Sequence, residues 1–508
     1  MRGVETRIQE IRRRIFKEVA DLAYHADGHV HKQMEELPYK IIPGEKGNFR
    51  NDVFLERAIV GERVRLAMGL PNRGASEHAP ISDGVSEADK PETYYTPPLI
   101  NVIKFACNAC PEKRVHVTDG CQGCLAHPCV EVCPKDAVSI DRVTGRSTID
   151  QDKCIKCGRC ASVCSYNAII VQERPCAKAC GMDAISSDEH GCADIDYDKC
   201  VSCGQCLVSC PFGAIADKSQ IFQVIRAIQA GEKVYAAVAP AFVGQFGPKV
   251  TPEKLRSAMR ALGFADVVEV AIGADLCAKQ EAEDFLKEVP EELPFMATSC
   301  CPAWSMMAKK LFPDHAKCIS MALTPMTLTA RLIKNRTPDA KVVFIGPCAA
   351  KKLEAMRKDV RSDVDFVLTF EEMAGIFEAR SLNLEEMEED PEGVNDVSTD
   401  GRNFAVAGGV AQAVVDVIKR DHPESEIKVA NAEGLKDCRM LLKMATLGKY
   451  PGYLLEGMAC PGGCVAGAGT MQAIKKSQTA VNLYAAKANH KTASETEYVK
   501  ELDKLTEE

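Results

Sequence analysis

Cys154-Ile-Lys-Cys-Gly-Arg-Cys-Ala-Ser-Val-Cys164 and Cys200-Val-Ser-Cys-Gly-Gln-Cys-Leu-Val-Ser-Cys210 share one spacing, C-x2-C-x2-C-x3-C. Three thiolates so spaced wrap one face of a [4Fe-4S] cubane, and the fourth reaches a second cluster. Zinc ribbons instead use two pairs separated by a longer loop, so the runs read as iron–sulfur. Each run follows a further cysteine pair, Pro128-Cys-Val-Glu-Val-Cys133 or Pro175-Cys-Ala-Lys-Ala-Cys180, and then Ile149-Asp or Ile195-Asp. The copies are offset by 47 residues at the first pair and 46 at the second motif, the mark of a duplicated supersecondary unit.

Working outward, two more C-x2-C pairs precede the duplication, Cys107/Cys110 and Cys121/Cys124. With Cys129, Cys133, Cys154, Cys157, Cys160, Cys164, Cys176, Cys180, Cys200, Cys203, Cys206 and Cys210 they make sixteen cysteines, four for each of four clusters, and leave Cys192 over. The expectation is two to four accessory clusters. Cys121-x2-Cys-x4-Cys129-x3-Cys133-Pro resembles the polyferredoxin subunits of bacterial molybdenum oxidoreductases. That resemblance implies one set of Cys121, Cys124, Cys129 and Cys164 and another of Cys133, Cys154, Cys157 and Cys160. The second repeat would then use Cys180, Cys200, Cys203 and Cys206 for one cluster, and borrow Cys107 and Cys110 to join Cys176 and Cys210 for the other. A rival pairing joins Cys164 to Cys200/203/206 and Cys210 to Cys154/157/160, and spacing alone does not choose.

The chain has 508 residues, 25 cysteines and one Trp, with a net charge of -9. That length predicts two or three domains. The acidic balance argues against a nucleic-acid binder. The longest near-apolar run, Val234–Val243, is about half of the roughly 20 residues a membrane span needs. Arg12–Lys17 faintly resembles a twin-arginine export signal, but Glu18–Gln33 supplies no apolar region after it, so a cytoplasmic location is expected and the thiols read as metal ligands. Residues 1–100 lack cysteine; Val4–Leu22 and Val53–Met68 have helical apolar spacing, and His25, His29 and His31 read as solvent-facing. The expected organisation is a mainly helical segment (1–100), a ferredoxin-like cluster domain (101–220), a catalytic domain (221–484) and a polar, exposed tail (485–508).

Past residue 220, short apolar runs alternate with helical patterns, which predicts α/β layers. Strands are expected at Lys233–Val238, Val267–Ala271, Lys341–Ile345, Phe404–Val406 and Tyr453–Leu455, and helices at Ala282–Val289, Ser305–Phe312 and Val410–Lys419. Three cysteine motifs each read as following a strand: Thr298-Ser-Cys-Cys-Pro-Ala-Trp304, Gly346-Pro-Cys-Ala-Ala-Lys-Lys-Leu-Glu354 and Met458-Ala-Cys-Pro-Gly-Gly-Cys-Val-Ala-Gly467. Ligands gather at the carboxyl ends of strands in open α/β sheets, so the three loops can meet. They offer Cys300, Cys301, Cys348, Cys460 and Cys464, one thiol more than a cubane needs. Lone Cys277, Cys318 and Cys438 read as buried structural residues.

These three motifs are similar to the signatures of the [FeFe]-hydrogenases, over roughly residues 140–470. The resemblance implies an H-cluster, a [4Fe-4S] cubane bridged to a two-iron unit carrying CO, cyanide and an azadithiolate. It implies Cys301, Cys348, Cys460 and Cys464 as cubane ligands, Cys464 bridging, and Cys300 as the spare thiol for proton transfer. Lys351 matches the lysine that hydrogen-bonds a cyanide, and Pro240, Pro325 and Met458 fall at positions around the cofactor. The implied relay runs from Cys300 through Glu281 and Ser320 to Asp284, which stands where the family has a longer glutamate. Electrons would come from or go to ferredoxin or a similar carrier, or a partner subunit were the enzyme NAD(P)H-linked; maturation proteins would build the cofactor. Three positions depart from well-studied members: Ala241 for a serine, Gly346 for a methionine, and Gly467-Ala-Gly-Thr for a glycine run. They resemble the branch called group B. Two other functions share the resemblance, a hydrogen or redox sensor and an iron–sulfur assembly protein of the same fold without the two-iron unit.

Overall fold

The computed structural model describes residues 3–26, 28–74, 76–90, 95–390, 392 and 395–506. Seven strands of its C-terminal half, β1 (Val234–Val238), β2 (Asp266–Glu269), β3 (Met296–Ala297), β4 (Lys341–Gly346), β5 (Phe366–Thr369), β6 (Lys428–Glu433) and β7 (Tyr453–Met458), form two parallel sheets. Their orders are β2-β1-β4-β5 and β3-β7-β6. β4 and β5 are buried almost end to end, as parallel strands covered on both faces must be.

Four of the expected strands form; Phe404–Val406 does not. Those residues turn between helices Thr399–Asn403 and Gly409–Asp421, and the Ala405 carbonyl accepts from Val465 N at 3.1 Å. Backbone pairing with the third cysteine motif claims the segment. The strand expected to run to Ala271 ends at Glu269, because Ala271 opens an 18-residue helix reaching Glu288.

The cluster domain keeps its sequence register. Hairpins Val138–Ile140/Ser147–Ile149 and Ile185–Ser187/Ala193–Ile195 repeat each other. So do the outer pairs, Arg114–Val117 with Ile169–Gln172 and Ile100–Val102 with Ile215–Asp217. Asp136 and Asp183 both take positive φ, as do Lys156 and Ser202. Those turns aim amides at sulfur.

The N-terminal helices are built into the catalytic core. Ile15, Phe16 and Val19 of helix Arg7–Tyr24 share one apolar cluster with Val342, Phe370 and Ile376. A Cβ at Gly375 would meet Phe16 Cβ at 2.6 Å, so glycine permits the close crossing. Arg12 holds Glu371 through Nη2 at 2.7 Å and Nε at 3.1 Å. His25, His29 and His31 are exposed. The tail differs from the expected exposed terminus: Ala493, Leu502 and Leu505 are buried in the second core because they supply apolar anchors within a polar sequence.

Cys-rich and catalytic regions are tied by a buried ion cluster. Lys352 Nζ donates to Asp217 Oδ2 (2.7 Å), Glu372 Oε1 (2.8 Å) and the Lys218 carbonyl (2.7 Å). Lys352→Met leaves buried Glu372 without its cation and Asp217 with only Arg12, at 3.6 Å. The expected loss is about 3–5 kcal/mol, read as a lowered midpoint in denaturant titration of the cofactor-free chain.

Candidate active site

The carboxyl ends of four strands, two from each sheet, meet around one cavity. β1 delivers Ala239, Pro240 and Ala241; β3 delivers Cys300 and Cys301; β4 delivers Cys348 and Lys351; β7 delivers Met458, Cys460 and Cys464. The cavity has a volume of about 80 Å³, and Pro325, Phe344 and Cys203 complete its wall. Gly463, at φ +89°, and Gly467 let the third loop close on its neighbours: Cβ atoms there would meet Ala407 N at 2.5 Å and Pro347 O at 2.2 Å.

The thiols face the cavity deep inside the protein. Burial pushes Cys348 up to about 11, with Cys301 adding to it and Lys351 opposing it. Cys301, at the start of helix Pro302–Leu311, is also raised by burial, while the amides of Ala459, Trp304 and Ala303 pull it down. Burial raises Cys464 likewise. Cys301, Cys348 and Cys464 are therefore costly to ionise unless a cation arrives with them. Lys351 is the buried positive charge there, fixed by Glu354 Oε2 at 2.7 Å and Thr324 Oγ1 at 3.1 Å. That donor set, cavity and cation fit a multi-iron cofactor; Cys301, Cys348, Cys460 and Cys464 could hold it.

Cys300 stands apart by its neighbours: burial raises its thiol well above the ordinary value, as it does for Cys464, and Glu281 next adds to the shift. Glu281 is fully buried, its Oε1 accepting from Ser299 N at 2.9 Å and Ser299 Oγ at 3.4 Å. Burial pushes it up to about 7 against those bonds and the Ser320 hydroxyl. Ser320 is buried and its Oγ accepts from Ala322 N at 3.1 Å. Asp284, one turn beyond Glu281, is half-buried and raised, first by burial and then by Glu288. Glu283 points to solvent and pairs with Lys279 at 3.0 Å.

The accessory thiols gather in sets. Cys107, Cys110, Cys176 and Cys210 line one cavity, and Cys180, Cys200, Cys203 and Cys206 another. In the first repeat, burial raises Cys160, with Cys154 and Cys133 adding to the shift, while Cys121 and Cys129 both contact Ser147. The rival pairing is not what the fold brings together, since Cys210 sits with Cys107. Repeated amide–sulfur contacts cradle the thiols: Ala137 N to Cys133 and Ala214 N to Cys210 at 3.3 Å, Ala168 N to Cys164 and Ala184 N to Cys180 at 3.4 Å. Among the described residues no three His, Cys, Asp or Glu side chains close on a single ion; the thiols ring open volumes instead. Cys203 borders both its own cavity and the catalytic one.

The profile of the iron-only hydrogenase large subunit, C-terminal domain, matches residues 232–468, and that of the 4Fe-4S binding domain matches 147–170 and 193–216. Iron hydrogenase 1 of Clostridium pasteurianum is 30% identical over 446 residues, 76% of this chain and 75% of that protein. The chain belongs to the iron hydrogenase family. The periplasmic [Fe] hydrogenase large subunit of Nitratidesulfovibrio vulgaris is also 30% identical, over 63% of this chain and 85% of that one. The mouse cytosolic iron-sulfur assembly component 3 is 27% identical over 44% of this chain and 58% of its own. A solved [FeFe]-hydrogenase chain aligns at 24% identity and a TM-score of 0.49, covering 57% of this chain and 95% of that one.

Within this member of the iron hydrogenase family, two contacts escaped the sequence reading. Gln205 Nε2 donates to Cys460 Sγ at 3.2 Å, linking the cluster loop to the catalytic thiol. A Cβ at Gly204 would lie 2.5 Å from Ala468 Cβ, so the Gly204 backbone packs directly on the Ala468 methyl group. The C-G-Q-C spacing signalled only a cluster loop; which face met the catalytic domain was not encoded locally. At Gly346, a Cβ would strike the Phe344 ring at 2.6 Å: the phenyl group fills the space a longer side chain would use.

Proposed function

We propose that this iron hydrogenase interconverts protons and H2, with electrons passing through its N-terminal clusters to or from a ferredoxin-like carrier in the cytoplasm. The observation that carries the reading is the single cavity where Cys301, Cys348, Cys460 and Cys464 converge beside the non-equivalent thiol Cys300 and the buried Glu281. When bound, the H-cluster supplies the chemistry 2H⁺ + 2e⁻ ⇌ H2. The chain's own residues do three things. Lys351, fixed by Glu354, presents a desolvated ammonium to an anionic ligand. Cys300 holds a proton at Sγ facing the cavity. Glu281, raised near neutrality, passes protons toward Ser320 and Asp284. Among the described residues no helix is long and apolar enough to cross a membrane.

Infrared spectroscopy of the anaerobically matured chain tests the proposal. CO and cyanide bands are expected; their absence from a protein with full cubane content would favour an assembly role, the second reading raised by the iron–sulfur assembly relative. The departures at Ala241, Gly346 and Ala468 fit the group B-like branch.

Iron content tests the accessory sets. The chain reconstituted without the two-iron unit is expected to bind about twenty irons, four in each of five cubanes. A reproducible value near twelve would leave two accessory clusters and make the other thiols structural.

A further inference from the structure

The Cys107/110/176/210 cavity differs from the other thiol sets in its charge. Two buried arginines stand near it: Arg174, 3% exposed, lines the cavity, and Arg63, 5% exposed, reaches the loop that carries Cys210. Arg174 Nη2 donates to the carbonyls of Cys110 (2.8 Å) and Gly191 (2.7 Å) and to Ser187 Oγ (2.8 Å). Arg63 comes from the helix Val53–Ala67 and donates to the Gly213 carbonyl, next to the Ala214 amide that binds Cys210 Sγ at 3.3 Å. Ile59 and Leu66 of that helix pack in one apolar cluster with Cys176, Cys206 and Cys210. Among the described residues neither guanidinium is joined to a carboxylate: Glu371 is taken by Arg12, while Asp188 and Asp194 pair with Lys104 at 2.9 and 2.8 Å.

A buried cation without a counter-charge is strongly unfavourable. Burial, and then Arg12, pull Arg63 down to about 10, with Cys210 and, after it, the Arg12-bound Glu371 opposing them. A [4Fe-4S] cluster on four thiolates is a net anion and supplies the missing charge. One-electron reduction makes it more negative with no bond made or broken, so fixed buried cations stabilise the reduced form over the oxidised one.

We propose that Arg63, carried in by the N-terminal helical segment, is a positioning residue that raises the reduction potential of the cluster held by Cys107, Cys110, Cys176 and Cys210, making it the first of the accessory clusters to take an electron. This rests on the cluster reading above. It gives residues 1–100 a redox role: they deliver a second buried charge beside Arg174 of the duplicated cluster domain.

The test is an EPR-monitored redox titration of the full chain, reconstituted without the two-iron unit and reduced stepwise with dithionite through mediators. In the wild type one accessory signal should appear at a higher potential than the rest, and Cys176→Ser should remove that signal together with its share of iron. Arg63→Gln should move it to lower potential and leave the other signals in place, and Arg63→Lys should hold it near the wild-type position. Loss of this one cluster in Arg63→Gln but not Arg63→Lys also supports a charge role. An unmoved signal in Arg63→Gln, equal effects of Gln and Lys, or a wild type whose accessory clusters all titrate together would overturn the inference while leaving the clusters assigned. An iron count unchanged by Cys176→Ser would overturn the cluster reading and the inference with it.

Discussion

Glu281→Gln is expected to lower hydrogen turnover by about 100- to 10,000-fold, the range of a lost general acid–base step. The amide keeps the shape and can still accept from Ser299 N, now 2.9 Å from the carboxylate, but it cannot carry a proton. Asp284→Asn should cost less, because Asp284 is half-buried and water can substitute at the surface. Glu283→Gln should be close to neutral, since that side chain is exposed and paired with Lys279. Turnover with excess reduced dye, at matched H-cluster occupancy, measures all three. Wild-type rates in Glu281→Gln would mean that protons enter by another route. Thermal melting of the cofactor-free chain separates this loss from misfolding. The folded carboxyl is raised from 4.5 to about 7, so it holds a proton that the unfolded chain releases between those values. Its contribution to stability is present below about pH 4.5 and lost as pH rises through about 7. The Gln variant should therefore match wild type in acid and melt higher at about pH 8.

Cys300→Ala is expected to keep the CO and cyanide bands while losing turnover by at least about 100-fold. Cys300 and Cys301 are adjacent, yet the chain separates their surroundings. Cys301 heads a helix and is drawn down by the amides of Ala303, Trp304 and Ala459. Cys300 is raised by burial and then further by Glu281 and Cys277. Ligation suits the first and proton donation the second. Infrared spectra and hydrogen evolution measured on the same preparation decide it, and disappearance of the bands in Cys300→Ala would reverse the two roles.

The sequence by itself determined the family and the period of the cluster domain. Thiolate spacing is a local property: C-x2-C-x2-C-x3-C encloses a cubane face wherever it is placed, and a 46- or 47-residue offset survives as matched hairpins and matched positive-φ turns. The five motif thiols that line the central cavity were legible for the same reason, as was the helical face shared by Glu281 and Asp284. Strands were less so. β3 has two residues and β6 is a half-exposed edge, and neither carries enough pattern to stand out. Phe404–Val406 has the composition of a strand, but its backbone is taken by the third motif. Only the tertiary structure decided which thiols share a cavity, because Cys107 and Cys210 are brought together by the pairing of Ile100–Val102 with Ile215–Asp217. It alone showed that Gln205 reaches Cys460 and that Phe344 fills the space above Gly346. It alone gave the first hundred residues a place, since burying Arg12 and Arg63 depends on partners more than a hundred residues away.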